Sequence, residues 1–270
     1  MSNFGDHPAG FFGVSGFYNG VATQSLRFND DDSAYLSRTP SSAGNRRTFT
    51  FSAWVKAAEA TNATLFSGGT GSGNDTFNLR IDAGQISQNS GSTALRSTTA
   101  RFRDFSAWYH IVLAVDTTQS TDTNRLKLYV NGTLITSYST SNIPSQNTEL
   151  GINQDELHTI GRRANSADRY MNGYMAEVNF VDGSQEAPES FGETKNGIWI
   201  AKSPSVTYGT NGFRLQFKQT GTGTASASTI GADTSGNTHH FTSNNLVASD
   251  SNMPDSPENN FCTYNSLDAK

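Results

Sequence analysis

A single cysteine, Cys262, stands among 270 residues, so no disulfide can close within the chain. That excludes the framework of a small, stapled secreted module. Set between Phe261 and Thr263, the thiol reads as a small apolar side chain rather than a nucleophile. No apolar run approaches the roughly 18 residues of a membrane-spanning helix, so no membrane partner is expected. The opening MSNFGDHPAG lacks both a basic stretch and an apolar one. A secretory leader is therefore not expected, and folding in a cytoplasm is. Helical amphipathic periodicity is missing at any useful length. Charge is sparse as well: 19 basic and 24 acidic residues leave a net −5. A nucleic-acid partner, which needs a basic surface, is thereby disfavoured. Arg46-Arg47, Arg101/Arg103 and Arg162-Arg163 are short basic spots of the kind found on solvated or salt-bridged surface.

The chain is rich instead in glycine, with 25 of them, and Ser, Thr and Asn crowd between short apolar runs at strand spacing. This predicts an all-β protein, a two-sheet antiparallel sandwich of the jelly-roll kind, and 270 residues suffice for one large core. Trp108–Tyr138 is the centre of the pattern. Val112, Leu113 and Val115 end at Asp116, a polar loop comes next, and Leu126, Leu128 and Val130 then alternate with Lys127 and Tyr129. Asn131-Gly132 comes directly after. A type I′ turn needs positive φ at both central residues, so this dipeptide between two strand patterns predicts a tight hairpin.

Three regions are expected. Residues 1–24 spread Phe4, Phe11, Phe12, Phe17 and Tyr18 among glycines, which reads as an extended arm that either folds back or anchors into a partner. Residues 25–184 carry the strands. Among them is TFTFSAWVK, with Phe49, Phe51, Ala53 and Val55 on one face and Trp54 on the other. In YMNGYMAEVNFV, strict alternation would place Tyr174, Ala176, Val178 and Phe180 together. Residues 185–270 form a looser C-terminal extension that holds one short apolar segment near Trp199, a strand at Phe213–Phe217 and the low-complexity TGTGTASAST. It is expected to pack on the jelly roll.

TFSAWVK, WYHIVLAVD, RLKLYVNGTLI and YMNGYMAEVNFVDG, in that order, resemble the laminin-G-like, concanavalin A-type lectin/glucanase jelly roll. A narrower likeness, over about residues 24–264, is to structural proteins of tailed bacteriophages, many of them marine. It rests on SLRFNDDDSAYLSRTPSSAGNRRTFTFSAWVK, SFGETKNGIW, YGTNGFRLQF, DTSGN and NNFCTYN. That resemblance implies a virion component made in the host cytoplasm, present in many copies or as a homo-oligomer. Its neighbours would be other capsid or tail proteins, with head decoration leaning ahead of a tail fibre or adhesin. Phe4, Phe11, Phe12, Phe17 and Tyr18 are then the anchoring candidates.

No catalytic residue is expected. Glucanase chemistry on this fold needs paired carboxylates spaced E-x-D-x-x-E, and Glu177 has no acidic neighbour at i±2. No G-x-S-x-G occurs, and the five histidines stand in no triad-like context. His239 and His240 would point to opposite faces of a strand, a poor chelating pair. The resemblance also implies calcium in some relatives, and Asp30, Asp31 and Asp32 supply oxygen ligands in one loop. Against this, the loop lacks the spaced D-x-[DN]-x-[DN]-G, and Ala176 stands where the family has Asp. No other cofactor is implied. Host surface glycan is the alternative partner, with Trp54 and Tyr129 as the contact candidates if their strand faces are open. A covering layer would bury both.

Overall fold

The computed structural model describes residues 16–59, 62–71 and 76–260. Phe4, Phe11, Phe12 and Cys262 lie outside them. Within the described residues the chain is a two-sheet antiparallel sandwich carrying a further small layer.

One sheet has seven strands: β1 (Leu26–Phe28), β3 (Thr48–Ala57), β8 (Tyr109–Asp116), β9 (Leu126–Val130), β10 (Thr133–Leu134), β13 (Gly173–Asp182) and β16 (Phe213–Leu215). Its order is β1-β13-β3-β8-β9-β10, and β16 pairs with the second half of β13. The other sheet has eight: β2 (Tyr35–Arg38), β4 (Ala63–Gly68), β5 (Phe77–Asp82), β6 (Gln85–Ser90), β7 (Thr93–Thr98), β11 (Tyr138–Ser141), β12 (His158–Ile160) and β17 (Thr242–Asn244). They lie in the order β11-β7-β6-β5-β4-β12-β2-β17. A separate hairpin joins β14 (Gly192–Lys195) to β15 (Ile198–Ala201).

Alternation explains the main core. Phe49, Phe51, Ala53 and Val55 of β3 face inward beside Ile111, Leu113 and Val115 of β8, and Leu126, Leu128 and Val130 of β9 complete the row. Phe66, Phe77 and Leu79 meet them from the other sheet, and Phe51 stacks on Phe66 with ring centroids 5.0 Å apart. The predicted hairpin forms: Asn131 and Gly132 have φ of 48° and 76°, and β10 folds back on β9.

β13 departs from strict alternation. The register against β3 shifts between Ala176 and Asn179, and Glu177 sits at φ 46°. This β-bulge inserts one residue and reverses the facing of the rest of the strand. Tyr174 and Ala176 therefore point away from the main core, while Val178 and Phe180 point into it. The four residues do not share a face.

The C-terminal extension is fastened to both sheets of the sandwich, β17 pairing with β2 at the edge of the eight-stranded one. β16 extends the seven-stranded sheet. At the far end, the Asp182 carboxylate accepts from Asn153 Nδ2 at 2.6 Å and from Asn211 N at 3.0 Å. Asn211 Nδ2 in turn donates to Asn153 Oδ1. This buried amide and carboxylate knot ties the loop before β12, the end of β13 and the extension together.

Candidate functional site

The outer face of the seven-stranded sheet was the expected glycan surface, and it is closed. The β14–β15 hairpin lies over it. Trp54 stacks on His110 with centroids 4.9 Å apart, and His110 stacks on Trp199 of β15 at 5.9 Å. Trp54 is left 5% exposed, so its ring offers no open platform to a sugar. The Trp199 ring enters over two glycines: a Cβ on Gly132 or on Gly192 would stand 2.5 Å from it. Here the Asn131-Gly132 turn does a second job, since only a glycine leaves room for the indole.

Tyr129 is half-buried and shares a second cluster with Val112, Val181, Phe191, Val206 and Tyr208. Burial, with Glu189 adding to it, pushes its phenol above the usual range. The expected pair of contact residues thus splits between two separate packed clusters beneath the extension.

Under the hairpin, Ser52 Oγ lies 2.9 Å from His110 Nε2. A serine beside a histidine suggests a nucleophile and its base, but the second ring nitrogen argues otherwise. Trp199 Nε1 donates to His110 Nδ1 at 3.0 Å, and an indole N–H can only donate. Nδ1 must carry the lone pair, so Nε2 carries the proton and donates to Ser52. His110 has no lone pair to offer the hydroxyl, and burial lowers its pKa to about 3. This trio is packing, not catalysis.

Glu177 also has a structural partner. Its carboxylate is 2.8 Å from Arg214 Nε on β16 and accepts from Gln216 Nε2 at 3.0 Å. Burial pushes its pKa up, against the pull of Arg214. Both of its oxygens are thereby engaged by side chains of the extension.

The Asp30–Asp32 loop is a hydrogen-bonded turn. Asn29 Nδ2 donates to Asp32 Oδ2 at 2.6 Å and Ser33 N to Asp30 O at 2.9 Å. Among the described residues, no three His, Cys, Asp or Glu side chains stand together where they could hold a metal ion. His239 and His240 likewise serve separate turns: His239 Nε2 meets Thr210 O, and Asp233 N donates to His240 Nδ1.

Of the anchoring candidates within the described residues, Phe17 packs edge-on against Tyr18 with centroids 4.9 Å apart, and Tyr18 remains 37% exposed. Both precede a segment, Val21-Ala22, that lies on the Trp54 cluster.

One surface escaped sequence reasoning. On the outer face of the eight-stranded sheet, Thr64, Arg80, Ser87 and Ser97 form one cross-strand row, and Ser67, Asn78 and Asn89 form the next. Arg80 Nη2 reaches Asp82 at 3.0 Å, and Ser87 meets Ser97 at 3.0 Å. Thr64 Oγ1, Arg80 Nε and Asn89 Oδ1 are buried without a hydrogen-bond partner among the described residues. In the sequence these are the ordinary polar alternates of half-buried strands. Only the register aligns them.

The sandwich, its antiparallel pairing and its jelly-roll order define a lectin-type β-sandwich. Residues 29–189 match the family model described as the concanavalin A-like lectin/glucanases superfamily, and the chain belongs to that superfamily. The chain is also similar to a candidate carbohydrate-binding protein of Bacteroides ovatus, at 17% identity and a TM-score of 0.52. That match covers 83% of this chain and 58% of the other, so the chain spans little more than half of that protein's length. A pentraxin of Limulus polyphemus matches at 13% identity and a TM-score of 0.44, over 63% of this chain and 79% of its own. No curated protein matches the sequence. At these identities the structural likenesses speak to the fold.

Proposed function

We propose that this chain is a non-enzymatic structural module displayed on the surface of a tailed-bacteriophage particle, decorating the head in preference to a tail appendage. The observation that carries the reading is the sealed outer face of the seven-stranded sheet. There Trp54, Ser52 and His110 are locked under the β14–β15 hairpin, and Glu177 is bound to Arg214. The sheet face that could have held a catalytic or aromatic sugar site is spent on fastening the extension. Contact with neighbours then falls to the aromatic arm, residues 1–24, and to the loops. Of the extension motifs that resemble phage structural proteins, SFGETKNGIW builds this cover and YGTNGFRLQF supplies the added strand that carries Arg214. The partners are other virion proteins and further copies of the chain. Locating the chain in intact particles by electron cryomicroscopy, with and without residues 1–20, tests the reading. It predicts density on the shell and loss of occupancy on deletion. Absence of the chain from purified particles overturns it.

A second reading, a module for host surface glycan, draws on the polar rows of the eight-stranded sheet. Arg80, half-buried and paired with Asp82 through Nη2, is the polar side chain of these rows that solvent reaches, since Thr64 and Asn89 are buried. Glycan-array binding that Arg80→Ala abolishes would support it.

A further inference from the structure

The N-terminal segment is hydrogen-bonded to the C-terminal extension, while Val21 and Ala22 pack on the Trp54 cluster of the sandwich. Among the described residues, the hydrogen bonds of residues 16–22 run to the extension. The Glu258 carboxylate accepts the backbone N–H groups of Gly20, Val21 and Ala22 at 2.9, 2.8 and 3.0 Å. Asn19 Nδ2 donates to Glu193 Oε1 at 2.8 Å and to Ala201 O at 3.0 Å, both on the β14–β15 hairpin. Lys195 of the same hairpin donates to Gly16 O. Three successive N–H groups converging on one anion form a nest, a concavity that binds negative charge through the backbone alone. Each of the three bonds is charge-assisted.

The segment that carries Glu258 is itself fixed from below. Asp255 accepts from Lys56 Nζ at 2.7 Å and from Trp108 Nε1 at 3.0 Å. Ser25 Oγ donates to Asp255 O at 2.6 Å, and Ser25 bridges Met253. Lys56, Trp108 and Asp255 are all buried. A buried platform of Lys56 on β3 and Trp108 just before β8 therefore presents one half-exposed carboxylate to the backbone of residues 20–22.

We propose that residues 253–260 are a clasp, with Glu258 as its positioning residue, that fixes the N-terminal segment at residues 20–22 and can release it without opening the sandwich. The course of the backbone at residues 20–22 is then set by the segment at 253–260. Gly20, an open position at φ 69°, gives the freed segment its pivot. The inference concerns the clasp itself and stands whether the arm engages a capsid, a tail or a second copy.

Amide hydrogen exchange on the full chain, combined with limited chymotrypsin cleavage at Phe17 and Tyr18, tests it. In Glu258→Ala the amides of Gly20, Val21 and Ala22 should exchange at least tenfold faster, and cleavage should accelerate to match. Amides of Phe51 and Leu113 should stay as protected as in the parent. Glu258→Gln, which keeps one acceptor oxygen without the charge, should fall between the two. Unchanged exchange at residues 20–22 in Glu258→Ala overturns the proposal. So does equal acceleration at Phe51 and Leu113, which would make Glu258 a part of global stability. Glu258→Gln exchanging as fast as Glu258→Ala would overturn the nest as the cause.

Discussion

Glu177 and Arg214 form a 2.8 Å ion pair that joins the bulge of β13 to the extension strand β16, with the Glu177 side chain only 6% exposed. The bulge places the carboxylate at the sheet edge, where β16 can reach it. Removing one partner leaves a buried charge uncompensated. Arg214→Ala should therefore cost about 3–5 kcal/mol, read from denaturant midpoints. Replacing both residues with well-packed apolar ones should recover much of that loss. A single substitution costing well under about 1 kcal/mol would mean that water satisfies Glu177.

Two buried histidines should make the fold acid-sensitive. His110 Nδ1 accepts from Trp199, and His158 Nε2 accepts the Asn153 N–H at 2.9 Å. In both rings the lone pair that a proton would take faces an N–H donor. Burial lowers their pKa values to about 3 and about 4, from an ordinary 6.5. Below 6.5 the unfolded chain binds these protons and the native one does not. The stability they contribute is therefore complete above that pH and falls as the pH drops toward about 4. At about 1.4 kcal/mol per unit, each should cost on the order of 2 kcal/mol by about pH 5. Glu177, whose pKa is raised, acts in the opposite sense just above its ordinary range. Urea midpoints between about pH 7.5 and about pH 5 should fall, and His158→Gln should shallow the slope. A flat profile would refute the assignment.

Gly132→Ala should destabilise for two reasons at one position. Its φ is 76°, and a Cβ there would meet the Trp199 ring at 2.5 Å. A loss of about 1–3 kcal/mol is expected from strain and overpacking, with a changed near-ultraviolet dichroism as the Trp54–His110–Trp199 stack shifts. Gly183→Ala, with φ 93° and open space around it, should show the backbone cost alone.

Trp54→Ala should act on stability, lowering it by about 3–5 kcal/mol as a buried aromatic truncation does. If any glycan binds through the eight-stranded sheet, Arg80→Ala should weaken it with little change in unfolding midpoint. Loss of glycan binding in a Trp54→Ala protein that keeps its parent's melting temperature would restore the outer face of the seven-stranded sheet as the contact surface.

Much of this fold was legible in the sequence. Alternation in TFTFSAWVK and RLKLYV marked the inward residues, Asn131-Gly132 marked the hairpin, and the order of motifs pointed to the superfamily. The facing of β13 misled, because a bulge is one unpaired residue and leaves no mark on a hydrophobic pattern. Residues 192–201 read as an excursion, because a short hairpin with one buried face lacks the length for a clear period. The polar rows on the eight-stranded sheet were invisible for another reason: cross-strand neighbours are set by register, and Thr64, Arg80, Ser87 and Ser97 come from four separate strands. By itself the sequence determined which side of each strand is apolar, where the chain turns and which superfamily it joins. Only the tertiary structure decided that Trp54 is covered, that Ser52 and His110 are inert and that Glu258 holds the N-terminal segment. These outcomes depend on which distant segment lies across a face, and local periodicity carries no record of that.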